Sequence, residues 1–137
     1  MRYMIIVKAS PRSEAGDMPE EKLIAQMAAY HEELAKAGVL LDASGLQPSS
    51  KGWRVHYKDG RRAVVDGPFT ESKELIAGYT IIQVRSRDEA LEWTRRFPAP
   101  HGEDVETHIE VRQMFELDDF PPSEAVEQFR QLGVGQQ

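Results

Sequence analysis

Asp66-Gly-Pro-Phe-Thr-Glu-Ser-Lys-Glu74, leading into Gly78-Tyr-Thr-Ile-Ile-Gln-Val84, is the stretch on which the reading of this chain turns. An acid, a glycine free in φ and a proline fixed in φ follow directly on the apolar run Ala63-Val-Val65. That order sets a sharp corner at the end of a strand. A carboxylate on such a corner can act as a general base. It can equally close an Asx-type turn by accepting backbone N–H groups near Phe69 or Thr70, and turn chemistry is the commoner use of Asp-Gly-Pro. Residues 79–85 are apolar on both faces and belong inside a sheet.

Just upstream, Asp59-Gly60 separates Trp53–Lys58 from the run at 61–65, a strong hairpin signal. Downstream of the corner, 71–77 reads as a short helical turn that Gly78 ends. Ser86 with Glu89 three residues on forms a capping box for a helix. Its buried side takes Ala90, Leu91, Trp93, Thr94 and Phe97 before Pro98 stops it. At the N-terminus, 2–8 alternates Tyr3, Ile5 and Val7 with Met4 and Ile6, which suggests a central strand. A polar loop over 9–18 leads to Pro19, Glu20 and Glu21, which open a helix over 19–37. Leu23, Met27, Tyr30 and Leu34 make its apolar stripe, and Gly38 ends it. Residues 39–46 predict a strand, 48–52 a loop, 105–117 a long final strand and 121–133 a terminal helix.

The resulting order is β-α-β, hairpin, β-α-β, α. Two split β-α-β halves imply an α+β, ferredoxin-like sandwich with helices on one face of an antiparallel sheet. Tyr3, Ile5, Ile81 and Ile82 do not read as a wetted surface, so the other sheet face needs a cover. A second copy of the chain is the simplest one, giving a homodimer closed into an α+β barrel.

The 137 residues are enough for one domain with a single core. With 40% hydrophobic and 29% charged residues, the composition is that of an ordinary globular protein. No apolar run has the ~18 residues of a membrane span, and the N-terminus lacks a signal-peptide pattern. Without cysteine the chain has neither disulfides nor thiol chemistry, and a cytoplasmic location is expected. Net charge is −6, with Glu116, Asp118, Asp119, Glu124 and Glu127 against Arg130 in the tail. No basic stripe with interleaved aromatics is present, so neither direct nucleic-acid binding nor membrane binding is expected.

Asp66-Gly-Pro-Phe-Thr-Glu-Ser-Lys-Glu, Gly78-Tyr, Ala90-Leu-Glu-Trp93 and Ile109-Glu-Val-Arg112, in this order, resemble the YCII-related proteins of the DGPF type. His31-Glu-Glu-Leu-Ala-Lys-Ala-Gly-Val-Leu and Gly45-Leu-Gln-Pro-Ser extend the resemblance over residues 1–116, leaving 117–137 as an acidic extension with a short helix. The resemblance implies a dimeric α+β barrel. For activity it implies cofactor-free chemistry of the kind seen in a YCII-related dehydrochlorinase acting on a chlorinated hydroxyquinol, with a His–Asp pair. The relatives' helix histidine corresponds to Met27 here, and His31 lies one turn later. The resemblance also implies, as an alternative, a small-ligand-binding or interaction module linked to sigma-factor-dependent transcription.

Asp66 is the candidate base and His31 the candidate acid or orienting group. His31 stands about 60° round the helix from the apolar stripe, where a histidine is half-desolvated. It can also serve simply as a boundary residue bonded to a backbone carbonyl. On the final strand His108, Glu110, Arg112 and Met114 share one face, with Ile109, Val111, Gln113 and Phe115 on the other. If the apolar set faces the helices, Glu110 and Arg112 point into the dimer, to pair across the interface or to line a polar pocket for an anionic ligand. Lys73 follows the corner directly, and Tyr79 and Trp53 can line a pocket for an aromatic substrate. The four histidines (31, 56, 101, 108) fall at no metal-ligand spacing, and no phosphate-cradling loop or nucleophile elbow occurs.

Overall fold

The computed structural model describes residues 1–135. Strand β1 (Arg2–Lys8) leads through a short helix α1 (Pro11–Glu14) into helix α2 (Glu21–Lys36) and strand β2 (Leu40–Gly45). A hairpin, β3 (Trp53–Lys58) and β4 (Arg61–Asp66), precedes β5 (Ile76–Gln83), helix α3 (Arg87–Arg95), β6 (Ile109–Gln113) and helix α4 (Glu124–Leu132). Four strands form one sheet in the order β2-β5-β1-β6 with antiparallel pairing throughout, while β3 and β4 pair only with each other. That is the ferredoxin-like order, with the hairpin inserted between β2 and β5.

Register divides the side chains between the two sheet faces. Tyr3 pairs with Ile82, Ile5 with Thr80 and Val111, and Val7 with Gly78 and Ile109; this set faces the helices. Ile5, Leu34 and Ile82 are fully buried there, and Tyr30, Val39, Val84 and Ala90 complete the core. Burying each large aliphatic side chain contributes about 1.5–3 kcal/mol. The Tyr30 hydroxyl donates to Trp93 O at 2.7 Å and so joins α2 to α3. Met4, Ile6, Tyr79 and Ile81 lie on the opposite, open face, where Ile6 is already buried by its neighbours and the other three are half-buried. Tyr3, Ile5 and Ile82 are therefore core residues under the helices. Of the residues expected to need a cover on the far face, Ile81 alone is there.

Several boundaries differ from the sequence-based expectation. The 9–18 loop contains α1, capped by Ser10, whose side chain accepts from Ser13 N while the Ser13 hydroxyl accepts from Ser10 N. No helix forms over 71–77; after one turn closed by Leu75 N to Glu71 O, the chain enters β5. Gly78 lies inside that strand, where a Cβ would sit 3.0 Å from Ser44 O on β2, so it marks close strand approach rather than a helix stop. The last strand spans only Ile109–Gln113 and leaves His108 outside it. Ser86 caps α3 as expected, although the Glu89 carboxylate accepts from Arg85 N instead of Ser86 N. Among the described residues, no helix is long and apolar enough to cross a membrane.

Candidate functional site

The corner after β4 is held by residues far away in sequence. Gly67 N donates to Gly52 O at 3.0 Å, which closes the base of the hairpin. Phe69 N donates to Ser49 Oγ at 2.9 Å. Ser49 in turn donates its N–H (2.8 Å) and its hydroxyl to the two carboxylate oxygens of Glu14 on α1. Gly67 is required at this point because a Cβ would collide with the Ser49 carbonyl. The Gly67–Pro68 peptide is cis. Arg54 stacks over Phe69 at 3.7 Å and reaches Glu71 at 3.6 Å, fastening the far side of the corner.

Ser49 supplies the oxygen that an Asx turn would have taken from Asp66. Asp66 is exposed and makes no hydrogen bond or ion pair among the described residues. Its carboxylate is left free on a fixed support.

The hairpin turns on Asp59 (φ 52°) and Gly60 (φ 72°), whose left-handed backbone matches the strand twist. Its register sets Trp53 opposite Asp66, Val55 opposite Val64 and Tyr57 opposite Arg62, all on one face. Arg54, His56, Lys58 and Arg61 take the other face. The first face is apolar yet open to solvent: Trp53 is 64% exposed and Tyr57 and Val64 67% each. Asp66 thus ends a wall of exposed apolar side chains. Directly opposed residues have Cβ atoms about 4.5–5.5 Å apart, which sets its carboxylate beside the Trp53 indole.

His31 lies between α2 and the sheet. Its Nδ1 is 2.7 Å from Met27 O and its Nε2 is 2.8 Å from Thr80 Oγ1 on β5. A carbonyl only accepts, so Nδ1 carries the proton, and in the neutral ring Nε2 accepts from the threonine hydroxyl. Tyr30 and Phe97 meet the imidazole edge-on at 5.6 and 6.2 Å. The backbone bond expected of a boundary histidine is present, together with a threonine partner that β5 gave no sign of in sequence.

The open sheet face carries the remaining candidates. Glu110 meets Arg112 at 3.2 Å and Lys8 at 3.4 Å, and these cations hold its carboxyl below the usual range. Glu110 and Arg112 thus pair within one chain, with Lys8 as a partner the sequence reading missed. Tyr79 donates to Asp42 at 3.0 Å, and that bond raises its hydroxyl above the ordinary tyrosine value. Tyr79 and Thr80 are neighbours on one strand, so they face opposite ways. The His31–Thr80 pair lies on the helix side and the Tyr79, Glu110 and Arg112 group on the open side. Lys73 is exposed in the turn after the corner. A cavity of about 390 Å³ opens beside Phe97, Pro100, Glu103, Glu106 and His108; Asp66 and His31 do not line it.

A family model described as the YCII-related domain matches residues 1–117. An uncharacterised protein, R00369, of Rhizobium meliloti (strain 1021) is 32% identical over 76 residues. That alignment takes in 56% of this chain and 61% of the relative, so the match spans about three-fifths of the relative's length. Among solved structures, 5-chloro-2-hydroxyhydroquinone dehydrochlorinase from Burkholderia phenoliruptrix AC1100, in complex with 2,5-dihydroxybenzoquinone, aligns over 85% of this chain and 95% of its own. Its sequence identity is 16% and its TM-score 0.47.

Proposed function

The chain belongs to the YCII-related domain family, and from that premise we propose that it is a cofactor-free acid–base enzyme. Its substrate is a small cyclic or aromatic metabolite, and its chemistry is isomerisation, elimination or a related proton transfer. The observation that supports this best is the free Asp66 carboxylate opposite Trp53 on the apolar hairpin face. A general base needs a carboxylate that no internal donor occupies, within hydrogen-bond reach of the proton it takes. A ring stacked on the indole brings its substituents close to Asp66, and the Ser49–Glu14 brace holds the base in place without occupying it.

The other candidates take supporting roles. His31 is an orienting group, fixing Thr80 and with it the strand that carries Tyr79. Lys73 holds an anionic substituent near the corner. Tyr79, Glu110 and Arg112 form the polar lining of a homodimer closed through the open sheet face, where Met4, Ile6 and Ile81 supply the apolar contact.

The test uses dihydroxybenzoates and hydroxyquinols as probes in deuterated buffer, followed by proton NMR. Exchange or conversion of ring protons that Asp66→Asn abolishes supports the reading. A raised melting temperature with the probe unchanged, equal in both proteins, would leave a binding module and sink the catalytic role.

A further inference from the structure

The β3–β4 arm stands apart from the main sheet as an exposed two-stranded ribbon. A two-stranded ribbon is marginal in water unless something packs on it. Its strands pack extensively only on each other, and every residue of both is exposed. Its apolar face presents Trp53, Tyr57 and Val64 to solvent. Helix α4 has the complementary problem. Its main contact is the turn at Leu117–Asp119, and it buries none of its residues. Ala125, Phe129 and Leu132 recur at helical spacing along its outer side, with Phe129 50% and Leu132 73% exposed.

Charge selects between the occupants these surfaces allow. Residues 53–66 carry Arg54, Lys58, Arg61 and Arg62 against Asp59 and Asp66. Two hairpins brought together would therefore repel. Residues 116–137 carry five acids against one arginine. Helix α4 itself carries Glu124 and Glu127 against Arg130, so a basic arm and this mildly acidic tail attract one another over the range of the Debye length, and each offers an apolar stripe to cover the other's.

We propose that α4 of a second copy of this chain packs its Phe129–Leu132 stripe on the apolar face of the hairpin, so that each arm is covered by its partner's C-terminal helix. The contact is reciprocal, each copy's helix meeting the other's hairpin about a two-fold axis, and it buries aromatic surface on both sides. The contact lies at the Tyr57–Val64 end of the face and leaves the Trp53–Asp66 end open. The packing is independent of what Asp66 does there.

The chain has no cysteine, which gives a clean background for cross-linking. Full-length Tyr57→Cys and full-length Phe129→Cys are prepared separately, mixed and oxidised, then resolved on a non-reducing gel. Both positions are exposed, so neither change threatens folding. The expected result is a covalent dimer in the mixture at least tenfold above that in either protein alone. Val64→Cys with Leu132→Cys repeats the experiment at a second contact. A disulfide dimer of Tyr57→Cys alone would show hairpin-on-hairpin packing and overturn the proposal. So would an internally oxidised monomer of a variant carrying both Tyr57→Cys and Phe129→Cys, or no cross-link in either mixture. None of these readouts involves substrate, so a failed cross-link and a failed catalytic reading are separately visible.

Discussion

His31 and Thr80 meet at 2.8 Å where α2 packs on β5, and the threonine is only 2% exposed. Each satisfies the other's polar group in a place water hardly reaches. Removing the imidazole leaves a buried hydroxyl without its partner, which costs about 1–3 kcal/mol. His31→Ala is expected to lower the unfolding free energy measured in urea by that amount. Combined with Thr80→Val, the loss should be smaller than the sum of the two single changes, because the double variant has no orphaned group. Strict additivity would show that the bond contributes nothing.

Gly67→Ala drives a methyl group into the Ser49 carbonyl. The corner and the Ser49–Lys51 turn cannot both keep their places, and a cost of about 1–3 kcal/mol or more follows. Thermal denaturation measures it, and an unchanged melting temperature would contradict the packing described here.

Ser49→Ala and Asp66→Asn should behave oppositely. Ser49→Ala deprives Phe69 N–H of its acceptor and Glu14 of its hydroxyl donor, so stability falls by about 1–3 kcal/mol. Asp66→Asn changes an exposed side chain with no partner and shifts stability by less than about 0.5 kcal/mol. Equal losses in the two variants would mean that Asp66 does hold the corner.

Alkaline pH offers a test of the core. Burial pushes the Tyr30 hydroxyl up to about 12, with Glu33 adding to the rise and Arg96 opposing it. In the unfolded chain the hydroxyl ionises near 10, so above that pH the unfolded state loses a proton the native state keeps. The stabilisation is complete below pH 10 and is lost as pH rises through about 12. Tyr30→Phe should start lower at neutral pH, through the missing bond to Trp93 O, and fall less steeply between pH 10 and 12. Parallel curves for the two proteins would refute this.

The open sheet face gives a prediction about assembly. Ile81→Lys puts a charge among Met4, Ile6 and Ile81 without touching the core. For a dimer closed through this face, light scattering of the variant should show monomer at micromolar concentration where the parent protein shows dimer, with unchanged far-UV circular dichroism. A mass unaffected by the substitution would locate the dimer contact elsewhere.

The fold was largely legible in the chain because its elements carry local signatures. Asp59-Gly60 specified the hairpin, the Leu23 to Leu34 stripe specified α2, and Ser86 marked the start of α3. Less legible was whatever depended on contacts between distant segments. Gly78 reads as a helix stop until β2 is placed against it. Ser49 looks like an ordinary loop serine, and only the folded chain brings it between Glu14 and Phe69. Period-two alternation correctly put Glu110 and Arg112 together, but it could not place Lys8 beside them. Asp66 and Trp53 each stand out by their chemistry. Pairing them needed only the hairpin register, already implied by a two-residue turn.

Leu46 N donates to Ala77 O at 2.8 Å, and Gly67 N to Gly52 O at 3.0 Å. Everything from 47 to 75 is therefore an excursion whose ends are fastened by the parent sheet, with the arm pinched off again at a two-glycine neck. Loop closure becomes only slowly more costly with length. Such an appendage can be lengthened, shortened or recoloured with new side chains while the sandwich beneath goes on folding as before. Variation in this arm is therefore a means by which proteins built on one scaffold can come to differ in what they hold.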